Sequence, residues 1–180
     1  EFQNADGTTR ILTLWDQSAI PDVEHNRLPP EGYTEGVLYT RDEINEALAA
    51  GSRQAGLAIV PQQDISGHGT AVAALAAGSQ SGVAAQAQLV VVKLGNPLAE
   101  SFPRTTQLMR GISYAVNLGV ELNMPVVVNL SFGNTYGDHR GESLLERFID
   151  NASEIGRTAI IIGSGNEGAS NGHTAGIALT

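Results

Sequence analysis

The amino-acid sequence predicts an α/β fold in which a parallel sheet is flanked by helices on both faces. Three short segments, 89–94, 125–130 and 159–162, are almost entirely apolar, as strands covered on both sides are. Two longer segments, 105–118 and 142–155, alternate with them and carry apolar residues at helical spacing. Strands that alternate with helices indicate a parallel sheet, because each connecting helix packs back onto it.

The first half of the chain predicts shorter elements separated by polar or glycine-containing turns. They are a strand over 10–15, a loop over 21–36, a weak strand over 57–60 and an alanine-rich helix over 68–77. Between the loop and the weak strand, Thr40 and Glu43 have the spacing of a capping box, which starts a helix that stops at Gly51.

The composition excludes several classes of function. The chain has 180 residues, with 10 Lys and Arg against 19 Asp and Glu, for a formal net charge of −9. Nucleic acids and anionic membranes attract clustered positive charge, so we expect neither as a partner. No cysteine is present, which excludes disulfides, thiolate metal sites and a cysteine nucleophile. No ligand spacing indicates a metal site, and we expect no cofactor.

A histidine between two glycines begins the alanine-rich helix. Gly67, His68 and Gly69 stand at the point where the chain turns into that helix. Glycines permit a tight turn and let another backbone approach the ring. The pattern predicts a histidine that faces a cleft, with a helix-capping histidine as the alternative.

Two further polar motifs follow buried strands. Open α/β sheets bind ligands at the edge where such strands end, so backbone amides and polar side chains there are candidates for binding. The residues at this predicted edge are Ser131, Phe132 and Gly133 after one strand and Gly163, Ser164, Gly165 and Asn166 after the next. The amide of Asn166, in a glycine-rich turn, is suited to donate a hydrogen bond into a cleft.

The last motif has a second interpretation. Gly163, Gly165 and Gly168 satisfy the dinucleotide-binding pattern G-x-G-x-x-G after a strand. That pattern also needs a helix from its last glycine and an acidic residue about 20 positions later. Residues 169–172 do not predict a helix, so a nucleotide-binding module stays only as an alternative.

Taken together, the three motifs resemble those of the subtilisin family of serine peptidases. Residues 67–70 resemble the family's histidine motif, 129–133 its substrate-binding strand end and 165–168 its oxyanion-asparagine motif, in the family's order. The segments 6–11, 14–17 and 39–45 resemble clostridial subtilases related to the spore-germination proteases.

The resemblance implies a subtilisin-like fold and a serine endopeptidase of the Ser-His-Asp type that hydrolyses peptide bonds in proteins. It implies that His68 is the catalytic base and that Asn166 stabilises the oxyanion. The implied substrate-binding residues are Ser131, Phe132, Gly133, Gly163, Ser164 and Gly165. It also implies a protein or peptide substrate and a bacterial protein that is extracellular or associated with the cell or spore.

Two members of the implied triad are not recognisable here. Asp16 follows an apolar strand, but Gln17 and Ser18 come next, where the family has Ser or Thr and then Gly. The family's Gly-Thr-Ser is absent. We therefore expect residues 1–180 to be an incomplete peptidase domain, with the aspartate upstream and the serine downstream. Such a fragment is expected to be inactive alone and either to self-associate or to have lowered stability. A pseudopeptidase that binds peptide without cleavage is the second alternative.

Overall fold

The computed structural model describes residues 1–95, 105–131 and 140–166, which form two compact units, Glu1–Gly111 and Ile112–Thr180. In chain order the elements are β1 (Ile11–Asp16), β2 (Val37–Thr40), α1 (Arg41–Ala49), α2 (Arg53–Ile59), α3 (His68–Ala77), β3 (Leu89–Lys93), α4 (Thr105–Glu121), β4 (Val126–Leu130), α5 (Leu144–Ser153) and β5 (Thr158–Ile162). Among the described helices, none combines the length and apolar character that crossing a membrane requires.

The first unit contains a three-stranded sheet in the order β2-β1-β3. The central strand β1 runs antiparallel to β2 and parallel to β3. The buried apolar cluster of the first unit consists of Leu14, Val37, Tyr39 and Ile44. Trp15 is fully buried, and its indole N–H donates to the Glu35 carbonyl oxygen at 3.0 Å. This polar contact satisfies the one donor that burial of the indole would otherwise leave unpaired.

Two elements of the first unit differ from the sequence prediction. The strand β2 was not predicted, because its pairing with β1 is a non-local contact. The predicted strand over 57–60 is wrong, since this segment is the C-terminal end of α2. The Ser52 hydroxyl caps α2 by accepting from the Ala55 amide at 3.2 Å. A short apolar run fits either a strand or a buried helix, and here the local cap decides for the helix.

Other local predictions are confirmed. Thr40 and Glu43 form the capping box of α1, in which the Thr40 amide donates to Glu43 Oε2 at 2.8 Å. The helix α3 has the predicted bounds, His68–Ala77. Side-chain oxygens that accept from first-turn amides are a strong start signal, so short-range sequence information is sufficient here.

Arginine side chains hold the C-terminal ends of two helices of the first unit. The buried Arg10 guanidinium donates to the Ala77 carbonyl at the end of α3. Arg27 donates from Nη1 to the Ile59 carbonyl at the end of α2, at 2.6 Å. A positive charge at a helix C-terminus is favourable, because the last carbonyls there have no partner within the helix.

The second unit contains the parallel pair β4-β5. The helix α5 begins with a capping box in which the Ser143 amide donates to Glu146 Oε2 at 2.8 Å. Ile112 and Val116 on α4 are almost completely buried. The parallel pairings β1-β3 and β4-β5 confirm the predicted parallel arrangement of the apolar strands.

Candidate active site

His68 is the first residue of α3 and is exposed. Its backbone N–H donates to the Ser66 hydroxyl at 3.2 Å. Gly67 precedes it with φ 73°, in the left-handed region that residues with a side chain rarely adopt. The turn therefore depends on the first glycine of the predicted motif.

The carboxylate of Asp64 caps the start of this helix. Oδ1 accepts from the Gly67 amide at 2.9 Å and from the Ser66 hydroxyl at 3.1 Å. Oδ2 accepts from the Thr70 amide at 2.9 Å and from its hydroxyl at 2.7 Å. The Thr70 hydroxyl, then the Thr70 and Gly67 amides and the Ser66 hydroxyl, hold the pKa of Asp64 well below its usual range. The side chain is thus ionised at neutral pH, which suits a helix N-terminus.

The sequence analysis did not assign a role to Asp64. Its signal was weak, because Asp64 lies three residues before the N-cap residue, Gly67, and the preference for aspartate applies to the N-cap position itself.

Asp16 lies at the end of β1, where it is buried. One carboxylate oxygen accepts from the Ser18 amide at 2.9 Å and the Ser18 hydroxyl at 2.5 Å. The other lies 3.4 Å from Lys93 Nζ. These contacts are those of a carboxylate that anchors a loop.

Lys93 connects this carboxylate to the loop that leads to His68. Its ammonium group also donates to the Gln63 carbonyl at 3.3 Å, one residue before Asp64. The ends of β1 and β3 lie side by side, with Asp16 opposite Lys93. The loop before α3 is therefore fixed to the carboxyl edge of the first unit's sheet.

The second unit brings two predicted binding residues to one edge. Leu130 and Ile162 are opposite each other at the ends of β4 and β5, so Ser131 and Gly163 follow neighbouring strands. The Gly163 amide donates to the Leu130 carbonyl at 3.1 Å. The Ser131 hydroxyl accepts from Asn129 Nδ2 at 2.9 Å. This edge carries exposed polar groups.

The other predicted residues fall into two groups. Ser164, Gly165 and Asn166 follow Gly163 and are exposed. Phe132 and Gly133 lie outside the described residues. His68 belongs to the first unit and Asn166 to the second. The catalytic and binding roles of all these residues stay predictions.

The described ranges contain no grouping of three or more His, Asp or Glu side chains that would hold a metal ion. The chemistry available here is that of an exposed imidazole at a helix start and of amides and hydroxyls at a sheet edge. These are the groups of acid-base and oxyanion chemistry in acyl transfer.

Comparison with known proteins assigns the family. The sequence profile of the subtilase family, peptidase S8, matches residues 42–178. The chain belongs to the subtilase family. Its closer resemblance to clostridial subtilases is confirmed by the structure of the CspB protease of Clostridium perfringens, which is 34% identical with a TM-score of 0.76. That similarity covers 94% of this chain and confirms the subtilisin-like fold.

A second subtilase, a subtilisin-like protease of Coccidioides posadasii, is 34% identical over 108 residues, which is 59% of this chain. Both relatives are longer than this subtilase chain. The present chain spans 25% of the length of the fungal protease and 34% of the clostridial structure.

Proposed function

We propose that the whole protein is a serine endopeptidase of the Ser-His-Asp type, to which this chain contributes the histidine and the oxyanion asparagine. The observation that carries the proposal is the placement of His68 in a subtilase chain. It is exposed at the start of α3, in a turn that Asp64 fixes. Membership of the subtilase family favours the peptidase over the nucleotide-binding alternative.

In the proposed mechanism, His68 takes the proton from a serine downstream of Thr180 and returns it to the leaving amine. An aspartate upstream of Glu1 holds the imidazole in the required tautomer. Asn166 donates its side-chain amide to the oxyanion as negative charge develops on the substrate oxygen. Loss of such an asparagine donor in a subtilisin costs about 10²–10³ in kcat.

The contacts of Asp16 support the proposal that the triad aspartate comes from elsewhere in the protein. Both of its carboxylate oxygens have other partners, Ser18 and Lys93. A triad aspartate instead accepts from the Nδ1–H of the histidine. We assign Asp16 a structural role, as the anchor of Lys93.

For the substrate, we propose an extended peptide segment of a protein, bound along the edge where β4 and β5 end. Ser131, Gly163, Ser164 and Gly165 contribute to this subsite, together with Phe132 and Gly133. Ligands of α/β sheets bind where the strands end, and the backbone groups of the segments that follow β4 and β5 are suited to hydrogen-bond an extended peptide. Because the proposed nucleophile is outside residues 1–180, the chain alone is expected to be inactive. We also propose that the protein acts outside the cell or at the cell or spore surface.

The test is fluorophosphonate labelling of the full-length protein, followed by peptide mapping of the adduct. A phosphonate forms a stable bond with a serine only when a base activates that serine. We expect one labelled serine beyond Thr180 and loss of the label in His68→Ala. The matched control is His25→Ala, since His25 is an exposed histidine paired with Asp22 at 2.7 Å.

Labelling that persists in His68→Ala would contradict the proposed role of His68. A label on a serine within residues 1–180 would contradict the placement of the nucleophile. A folded full-length protein that takes no label would contradict the peptidase and favour the pseudopeptidase that binds peptide without cleavage.

A further inference from the structure

The loop over residues 60–67, which leads into α3, is held by hydrogen bonds on two sides. On the sheet side, the Gln63 carbonyl accepts from Lys93 Nζ at 3.3 Å, and Lys93 also contacts Asp16. On the helix side, the next residue, Asp64, makes its hydrogen bonds to the turn that contains His68. The position of the histidine thus depends on a continuous series of polar contacts from the sheet edge to the first turn of α3.

Asp64 uses both carboxylate oxygens, and each oxygen holds a different segment. Oδ1 holds the turn before His68, through Ser66 and Gly67. Oδ2 holds the residue two positions after it, Thr70. The histidine lies between the two held segments. An asparagine at this position has one oxygen only, so the backbone N–H of either Gly67 or Thr70 loses its acceptor, and on that side only the hydroxyl could accept from the new amide.

We propose that Asp64 is a positioning residue for His68, which sets the imidazole against the nucleophile without itself touching the reacting atoms. The inference rests on the proposed function of His68 as the base. A displacement of about 1 Å in a catalytic group can cost about 10² in rate, so a residue that fixes this turn affects the chemical step. Binding of substrate at the edge of β4 and β5 does not depend on it.

The other end of α3 supplies a matched control. There the buried Arg10 donates to the Ala77 carbonyl and, at 2.5 Å, to the Ala87 carbonyl. Arg10 is the corresponding charged anchor at the C-terminal end of the same helix. Its loss lowers stability, because two carbonyls lose their partner, but it leaves the turn around His68 in place.

The experiment measures the saturation kinetics of fluorophosphonate labelling in the full-length protein, corrected for the folded fraction. The variants are Asp64→Ala, Asp64→Asn and Arg10→Met. We expect Asp64→Ala to lower the maximal inactivation rate by about 10- to 100-fold with the half-saturating concentration unchanged. Asp64→Asn, which keeps one of the two oxygens, is expected to be intermediate. Arg10→Met is expected to lower the melting temperature and to keep the maximal rate.

An Asp64→Ala rate within about twofold of the unmutated protein would overturn the proposal, since a misplaced base costs more than that. Equal losses of rate in Asp64→Ala and Arg10→Met would also overturn it, because they would show an effect of stability alone. If Asp64→Ala does not fold, Thr70→Val removes the hydroxyl partner only, and an unchanged rate there would count against the role. Absence of labelling in the unmutated protein would instead refute the proposed function, and this inference with it.

Discussion

The strand β1 in the first unit and the strands β4 and β5 in the second have similarly apolar sequences but different surroundings. Leu14 and Trp15 on β1 are buried. Val127 on β4 is 71% exposed, and Ile161 on β5 is 55% exposed. An apolar run predicts a strand that can be covered on both faces, but the cover comes from distant parts of the chain. Local sequence therefore predicts the strands better than their burial.

The difference in burial indicates where each unit is sensitive to substitution. In the first unit, the apolar cluster and the indole of Trp15 are buried, so we expect both added and removed atoms to be costly there. In the second unit, Val127 and Ile161 are largely exposed, so we expect substitutions there to cost little. The same residues are the reason to expect self-association of the isolated chain, since exposed apolar edges and faces favour pairing with another copy.

The largest expected effect is that of Gly36→Ala in the turn before β2. Gly36 has φ +76°, and an added Cβ would lie 2.4 Å from the Asp16 carbonyl oxygen. Strain and overpacking together should cost about 3 kcal/mol of unfolding free energy. Gly32→Ala is the control, because Gly32 has φ +82° but an added Cβ meets nothing within 4 Å. It should cost about 1 kcal/mol. Urea unfolding followed by the fluorescence of Trp15 measures both, and equal losses would contradict the close packing of this turn.

The next largest effect is the difference in unfolding free energy between the same substitution, Val→Ala, in the two units. Val37 is 2% exposed, so Val37→Ala should cost about 2 kcal/mol, from two buried methyl groups and the cavity they leave. Val127→Ala should change the unfolding free energy by less than about 0.5 kcal/mol. Urea unfolding followed by circular dichroism tests the pair. If Val127→Ala lowered the unfolding free energy as much as Val37→Ala, the strands of the second unit would be as well covered as those of the first, against the expectation.

Smaller changes in unfolding free energy are expected at the two glycines beside His68. Gly67→Ala should cost about 1 kcal/mol, because an alanine is strained at φ 73°. Gly69→Ala should be neutral or stabilising by up to about 1 kcal/mol, because Gly69 lies within α3 and an added Cβ would be 3.7 Å from Asp64 Oδ2. Thermal unfolding of the two variants measures the difference. A loss at Gly69 that matches the loss at Gly67 would contradict the assignment of Gly67 as the residue that turns the chain.

The smallest effect is a dependence on pH that comes from Asp64. Its pKa is lower in the folded chain than in the unfolded chain, so the ionised form stabilises the fold. This contribution is complete above the unfolded value of about 3.9 and is lost as the pH falls toward the folded pKa. The difference in unfolding free energy between the unmutated chain and Asp64→Ala should be constant from about pH 5 to 7 and narrow below about pH 4. A difference that widens in acid would contradict the hydrogen bonds of this carboxylate.

Sequence reasoning succeeded where a signal is local. The capping box of Thr40 and Glu43 and the helix that begins at His68 depend on residues a few positions apart. It failed for β2, whose partner β1 is distant in sequence, and for α2, where a short apolar run suggested a strand. The contact between Asp16 and Lys93 also joins residues far apart in the chain, so the sequence alone did not indicate what occupies the Asp16 carboxylate.

We propose that His68 serves as the base and that Asp16 is a structural anchor, so that the triad aspartate comes from elsewhere in the protein. The most direct test is the rate of fluorophosphonate labelling of the full-length protein carrying Asp16→Asn, with folding checked by circular dichroism. We expect a loss smaller than about tenfold, since replacement of a triad aspartate by asparagine costs about 10⁴ in rate. A loss of about 10⁴ in a folded Asp16→Asn protein would contradict the claim and identify Asp16 as the triad carboxylate.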